Sequence, residues 1–183
     1  MPKDAEAPPC RNENKADRLL MLVSYRAWAN VIAYDGVEAI PVEELLKPRA
    51  TTFGNILMTL NHIWVVDDIF RHHLEGRRHA YAFRNTEEIP SLAELRRRAG
   101  EMDNWLIEQV RGWSEKDRAE VVNFEFVGGG DGAMTRDEIA LHLVNHATYH
   151  RGFVGDMLKQ VPYFWPANDL TVFLRDVWHP RAS

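Results

Sequence analysis

Several features that would assign this sequence to a class of protein are absent or nearly so. Cysteine occurs once among 183 residues, at Cys10. A single cysteine excludes an intramolecular disulfide and favours a reducing compartment. No run of more than three basic residues is present, and 22 Lys and Arg against 27 Asp and Glu give a formal net charge of −5. Because phosphate backbones are bound by basic surfaces, we expect no nucleic-acid partner.

Long apolar stretches are also missing. No segment approaches the ~20 consecutive apolar residues of a transmembrane helix, and the N-terminus lacks the apolar core of a signal peptide. We therefore expect no membrane partner and predict a cytoplasmic protein. Residues 1–15 are polar and rich in proline, which predicts a disordered leader. Residues 16–183 are then predicted to form a single domain, in line with the usual ~150 residues per domain.

Apolar residues recur at three- and four-residue steps over four long segments, which predicts four amphipathic helices. The predicted spans are 16–39, 52–74, 91–113 and 135–160. Capping-box patterns mark the start of the last two, at Ser91-x-x-Glu94 and Thr135-x-x-Glu138. These helices predict an all-α fold, a four-helix bundle whose long connections allow a crossover.

Shorter elements are predicted beside the bundle. Residues 121–127 alternate in polarity and precede a glycine run, so we expect a short extended element or hairpin before the fourth long helix. The glycine run lacks the Lys-Ser/Thr of a phosphate-binding loop and predicts a flexible turn. A short C-terminal helix is predicted over 169–177. The aromatic segment 162–166 is a candidate for covering one end of the bundle or for contacting a second chain.

What the sequence has in excess is histidine, with eight in the chain. Histidine is the commonest metal ligand and a frequent acid–base group, so the positions of these residues indicate function. Four of them fall among arginines or near the C-terminus and are predicted to lie on a solvated surface: His72, His73, His79 and His179.

The other four histidines lie inside predicted helices. His142, His146 and His150 follow one another at four-residue steps, which places neighbours about 6 Å apart along the axis and about 40° apart around it. Adjacent rings can share one ion, and the spacing alone leaves the pairs 142/146 and 146/150 equally possible. His62 is surrounded by apolar residues at helical spacing, so its face of the second helix is predicted to point inward.

Two interpretations of the inward histidines follow. A metal-free bundle with ordinary hydrogen-bonded core histidines is one. A shared divalent ion is favoured, because each buried imidazole needs a partner and one ion satisfies all of them.

The surrounding sequence narrows the kind of metal site. Residue 147 is Ala, so the His-Glu-x-x-His pattern of zinc proteases is absent, and no pair of Glu-x-x-His motifs supports a di-iron centre. A mononuclear site of three imidazoles remains, with coordination positions left open as in catalytic sites. Such ligands suit Zn, Ni, Cu or Fe.

These residues resemble a known family. The helix 2 pair Asn61-His62 and the helix 4 pattern Asn145-His146-x-x-x-His150-Arg151-Gly152 are similar to those of the DinB-like (YfiT-like) metalloenzyme family. The segments 25–30 and 169–175 also resemble it, and the similarity covers roughly residues 16–178. The resemblance implies a four-helix bundle with a crossover, a divalent ion (Ni or Zn) on His62, His146 and His150, and a homodimer. It leaves His142 outside the ligand set, lining the pocket or bonded to Glu138.

The resemblance also sets the functional expectation. Relatives with assigned activity include thiol-dependent S-transferases and isomerases, so we expect a metal-dependent enzyme that activates water or a thiol, of hydrolase or S-transferase type. Its substrate would be an unidentified small molecule, and no catalytic residue is assigned. The alternative is a non-catalytic metal-binding bundle acting as a structural or interaction protein, as a homodimer.

Five other residues are candidates for roles near the ion. Tyr25 and Trp28 would form pocket walls or plain core. Asp67, Asp68 and Arg151 would support the ligands or contact substrate, but solvated helix faces or salt bridges at the end of the bundle are the favoured expectation for these three.

Overall fold

A computed structural model describes residues 15–162 and 166–179. The predicted leader lies outside the described residues except for Lys15, as do residues 163–165 of the aromatic segment. The elements are α1 (Lys15–Glu38), α2 (Val42–Leu46), α3 (Ile56–Leu74), α4 (Leu92–Gly112), α5 (Glu115–Ala119), β1 (Val121–Glu125), β2 (Asp131–Thr135), α6 (Arg136–Leu158) and α7 (Leu170–Phe173), followed by one π-helical turn (Leu174–Trp178). Within the described ranges, none of the helices has the length and apolarity needed to cross a membrane.

The four long helices form the predicted bundle. Helix α1 packs against α4 and α6, and α3 packs against the same two helices. The consecutive long helices α1 and α3 therefore lie diagonally opposite each other, and the connection between them crosses the bundle. The all-α four-helix bundle with a crossover is confirmed, and α3 and α6, which carry the inward histidines, are neighbours.

The two helix starts that the capping-box patterns predict are confirmed, but the capping hydrogen bonds differ between them. Thr135 accepts a hydrogen bond from the Glu138 backbone N–H at 3.2 Å, and the Glu138 carboxylate accepts one from the Thr135 N–H at 2.7 Å. Ser91 caps α4 by accepting from the Glu94 N–H at 3.2 Å. The Glu94 carboxylate does not return the bond, because it pairs with arginines one turn along α4.

The start of the second long helix differs from the prediction. Helix α3 begins at Ile56 rather than at residue 52, because Gly54 adopts a φ of 76° and Asn55 caps the helix by accepting from the Met58 N–H at 2.8 Å. The apolar spacing places Phe53 on the apolar face of this helix. The residue instead lies ahead of the helix, in a turn that directs its ring to the histidines.

The predicted extended element is an antiparallel hairpin of β1 and β2. Phe124 is paired with Gly132, and a Cβ atom at Gly132 would overlap the Phe124 ring. Glycine is therefore required at this position by the neighbouring ring. The hairpin fixes Phe124 against the bundle, where this side chain is buried.

Candidate metal centre

The structure brings together the three histidines that the resemblance selects. His62 on α3 and His146 and His150 on α6 each offer one nitrogen, and these nitrogens lie within 4.8 Å of one another. The Nε2 atoms of His62 and His146 are 3.1 Å apart. Two nitrogens bound to one tetrahedral ion at 2.0–2.1 Å would lie about 3.3 Å apart, so this spacing suits a shared divalent ion.

The orientation of His62 is fixed by a backbone carbonyl. Its Nδ1 lies 2.8 Å from the carbonyl oxygen of Arg84. Because a carbonyl only accepts, Nδ1 carries the proton and Nε2 keeps its lone pair, directed at His146. A hydrogen bond of this kind from the other ring nitrogen is typical of histidines that bind metal.

The segment that supplies this carbonyl is bonded to α3 at neighbouring points. The Asn85 side-chain amide donates to the Met58 carbonyl at 2.9 Å, and the Thr86 hydroxyl donates to the Asn61 side-chain oxygen at 3.1 Å. We call residues 84–86 the strap. Sequence reasoning missed it, although the Asn61-His62 pair contains both of the α3 side chains that bind it.

An aromatic ring completes the surroundings of His62. Phe53 stacks on its imidazole with ring centroids 4.2 Å apart and planes at 25°. The same ring meets His150 edge-on at 5.4 Å. Phe53 therefore contacts two of the three imidazoles, a role made possible by the late start of α3.

All three imidazoles are neutral at neutral pH. Burial, reinforced by His150 and His62, lowers the pKa of His146 to about 2, and burial followed by His62 lowers the pKa of His150 to about 4. Burial also lowers the pKa of His62. A neutral imidazole offers a lone pair to a cation, so the three rings are in the protonation state that metal binding needs.

Some nitrogens of these rings lack a hydrogen-bond partner within the described part of the protein. The Nδ1 atoms of His146 and His150 are buried and have no hydrogen-bond partner among the described residues. In His146 the unpaired Nδ1 is the second nitrogen of a ring whose Nε2 faces His62, so the case for an ion rests on the converging nitrogens and their neutral state. The residues present fit a divalent cation held by one nitrogen from each ring.

The three histidines face an open cavity of about 900 Å³. Most of its lining is apolar and aromatic, with Phe53, Phe70 and Phe124 on its walls. His142 also lines it, one turn before His146 and against Phe70 at 4.7 Å between ring centroids. Of the two roles expected for His142, the structure shows the pocket-lining one, since Glu138 is engaged in the cap of α6.

The prediction of a solvated surface for His73 is wrong. Its ring stacks on Phe124 with centroids 4.9 Å apart and lines the same cavity. Burial lowers its pKa to about 4. His72 and His79 are also half-buried, and His79 lies 5.2 Å from His73 between ring centroids. The sequence missed this because the hairpin that covers the end of α3 comes about fifty residues later.

For Asp67 and Arg151 the expected solvated face is wrong, because both residues are buried, whereas the other expectation, a salt bridge, applies to Asp67. Asp67 is 1% exposed and forms an ion pair with Arg26, which is fully buried. Arg26 also pairs with Asp103 at 2.7 Å. Burial raises the pKa of Asp67 to about 7, although the positive charge of Arg26 acts to lower this pKa. Asp68 is half-buried and accepts a hydrogen bond from the Tyr81 hydroxyl at 2.7 Å.

Arg151 extends this buried charge to the fourth long helix. It donates to the Asn30 side-chain oxygen at 2.8 Å, and Asn30 donates to Asp103 at 2.9 Å. The buried charge network, defined as Arg26, Asn30, Asp67, Asp103 and Arg151, thus takes side chains from α1, α3, α4 and α6. Because Arg151 directly follows His150, the network fixes the helix turn that carries this ligand candidate.

Of the two roles considered for Tyr25 and Trp28, the structure shows core packing. Their rings contact Phe173 of α7, with centroids 5.8 and 5.6 Å apart. Neither residue lines the cavity of the three histidines. Both attach the C-terminal helix to α1.

Comparisons with known proteins agree with this architecture. The sequence profile of the DinB family matches residues 12–177. Protein DinB of Bacillus subtilis (strain 168) is 25% identical over 163 residues, covering 87% of this chain and 95% of that protein. The crystal structure of a DinB-like protein from Bacillus cereus ATCC 10987 superposes with a TM-score of 0.63 at 16% identity, covering 82% of this chain and 95% of that one. With its bundle and the extent of the profile match established, the chain belongs to the DinB family.

Proposed function

We propose that this protein is a metal-dependent enzyme with one divalent ion on His62, His146 and His150. The observation that carries the proposal is that three neutral imidazoles with converging nitrogens open into a cavity large enough for a small molecule. A structural metal site is normally closed by a fourth protein ligand. Within the part of the chain that the structure describes, no fourth His, Cys, Asp or Glu joins this cluster.

The chain's own residues prepare the reaction in three ways. The Arg84 carbonyl holds the His62 tautomer that leaves Nε2 free, and Phe53 holds the ring plane. The apolar and aromatic walls flank the ligand nitrogens, and electrostatic interactions are stronger beside such walls than in bulk water. A divalent ion bound at this position would lower the pKa of a coordinated water or thiol, so that a nucleophile forms at neutral pH.

An all-imidazole set suits zinc, nickel, copper or iron, and of these the family resemblance favours zinc or nickel. The open cavity favours an enzyme of hydrolase or thiol-dependent S-transferase type over a non-catalytic bundle. A homodimer in the cytoplasm remains our prediction for its state in the cell. Light scattering at micromolar concentration tests the dimer, and a monomer there would contradict it.

Cobalt substitution tests the proposed chemistry. We expect the protein loaded with Co²⁺ to show the visible absorption of a four- or five-coordinate site, and this spectrum to change when a small ligand enters the open position. A sulfur-to-metal charge-transfer band on adding 2-mercaptoethanol supports thiol activation, and a shift with azide alone supports water activation. A spectrum that neither ligand alters indicates a closed site and contradicts the enzymatic proposal.

A further inference from the structure

The mouth of the histidine cavity carries two exposed aromatic side chains. Phe83, in the segment before the strap, is 76% exposed, and Phe126, just beyond β1, is 52% exposed. Both line the cavity, and they come from different parts of the chain. Large apolar side chains at the rim of an apolar cavity are typical of a surface that a ligand covers.

An arginine lies beside these two phenylalanines. Arg84 follows Phe83 in the chain, lines the same cavity and is exposed. Unlike Arg26, Arg49, Arg96 and Arg136, Arg84 forms no ion pair within residues 15–162 and 166–179. Its backbone is held beside His62, because its carbonyl accepts the hydrogen bond from that ring.

The cavity lining carries little charge of its own. Apart from its histidines, the charged residues of the lining are Arg84, in the segment next to His62, and Glu125, on the hairpin. Three neutral imidazoles would leave the charge of a bound divalent ion uncompensated, which favours a ligand that brings a negative group.

We propose that this cavity selects an apolar anion: a molecule whose aromatic or aliphatic body lies between Phe83 and Phe126 and whose carboxylate pairs with the Arg84 guanidinium. The inference rests on the proposed function, since it names the class of substrate for the same site. The division of roles is that Arg84 recognises the anionic group and the two phenylalanines recognise the body. The reacting part of the molecule is then directed to the three histidines.

Calorimetry with a matched pair of probes tests the proposal. The probes are 4-phenylbutyrate and its neutral amide, 4-phenylbutanamide, which share the same body. We expect the acid to bind the wild-type protein at least about tenfold more tightly than the amide, as a charge-assisted hydrogen bond provides. Each titration is run on zinc-loaded protein and on protein treated with a chelator, so that a carboxylate bound to the metal is distinguished from one bound to Arg84.

Substitutions test whether Arg84 causes the preference for the acid over the amide. Arg84→Gln keeps the backbone carbonyl that holds His62 and should abolish the preference for the acid in both forms of the protein, whereas Arg84→Lys should retain it. Arg78→Gln is the matched control, because Arg78 is an exposed arginine of the same connection that lines a neighbouring cavity instead. Phe83→Ala should weaken both probes equally.

The outcomes separate this inference from the proposed function. Equal affinity for acid and amide, failure of both to bind, or a preference unchanged in Arg84→Gln overturns the apolar anion. A preference seen only with zinc present also overturns it, because the anion is then held by the metal. The metal content of the same samples, measured independently, reports on the proposed function, so either can fail without the other.

Discussion

The Nε2 atoms of His62 and His146 face each other at 3.1 Å across the interface of α3 and α6, although 84 positions separate the two residues in the chain. The backbone bond from His62 Nδ1 to Arg84 determines that the His62 nitrogen on this side carries a lone pair. Two helices, one strap and one stacked ring thus produce a pair of converging ligands, which His150 extends to three.

The protonation of the three rings gives the first prediction. A lowered pKa keeps an imidazole neutral as the pH falls, so the rings of His146 and His150 should remain neutral at pH 5.5 in metal-free protein, given pKa values of about 2 and about 4. Long-range ¹H–¹⁵N NMR of the imidazoles measures this directly. The protein unfolded in urea is the reference, and every histidine in it should have a pKa of about 6.5. Titration of either ring near that value in the folded protein would contradict the burial that the structure shows.

The strap gives the second prediction. Asn85→Ala removes the bond to the Met58 carbonyl and loosens the segment that orients His62, so zinc affinity should fall about tenfold or more while the helical content stays constant. Competition with a chromophoric chelator measures the affinity, and circular dichroism measures the helix content. Glu87→Ala, an exposed substitution in the same connection, is the control and should leave affinity unchanged. Equal affinities in the two variants would show that the strap has no part in positioning His62.

The buried charge network gives the third prediction. Arg26→Met leaves Asp67 and Asp103 buried without their shared cation, which should lower the free energy of unfolding by about 3–5 kcal/mol. Urea denaturation provides the measurement. The control is Arg97→Met on α4, whose ion pairs are exposed and should contribute nothing measurable. A loss for Arg26→Met no larger than that of the control would contradict the burial of the network.

The hairpin gives the fourth prediction. Gly132→Ala places a methyl group in the Phe124 ring and should cost about 1–3 kcal/mol of stability while displacing a wall of the cavity. Gly100→Ala is the matched control, since nothing lies within 4 Å of a Cβ there and the site is inside α4. That substitution should stabilise the protein by up to about 1 kcal/mol. Thermal unfolding compares the two, and shifts of the same sign would be inconsistent with the packing of Phe124 on Gly132.

The bundle can be predicted from the sequence because the patterns that indicate its helices are local. Apolar spacing located the long helices, and the Ser91 and Thr135 caps located two helix starts within a residue. The start of α3 was missed because its signal lies in a glycine of positive φ and an asparagine cap, which override the apolar periodicity that extends back to Phe53.

Only part of the candidate metal centre can be predicted from the sequence. Four-residue spacing indicated that neighbouring histidines of α6 share a face, but choosing His150 over His142 as the partner of His146 depended on the family resemblance. The strap could not be predicted, because a backbone carbonyl such as that of Arg84 has no signature in the sequence. The buried pair of Arg26 and Asp67 was missed for a related reason: charged residues are usually exposed, and the partners are 41 positions apart.

Metal content tests the central claim most directly. Purified wild-type protein analysed by inductively coupled plasma mass spectrometry should contain about one divalent ion per chain, zinc or nickel, and His146→Ala should contain none. His142→Ala is the sharpest control, because His142 lies one turn away on the same helix and lines the same cavity. It should keep the ion. A wild-type protein that binds no metal when zinc and nickel are supplied, or a His146→Ala variant that binds as much as the wild type, would contradict the account.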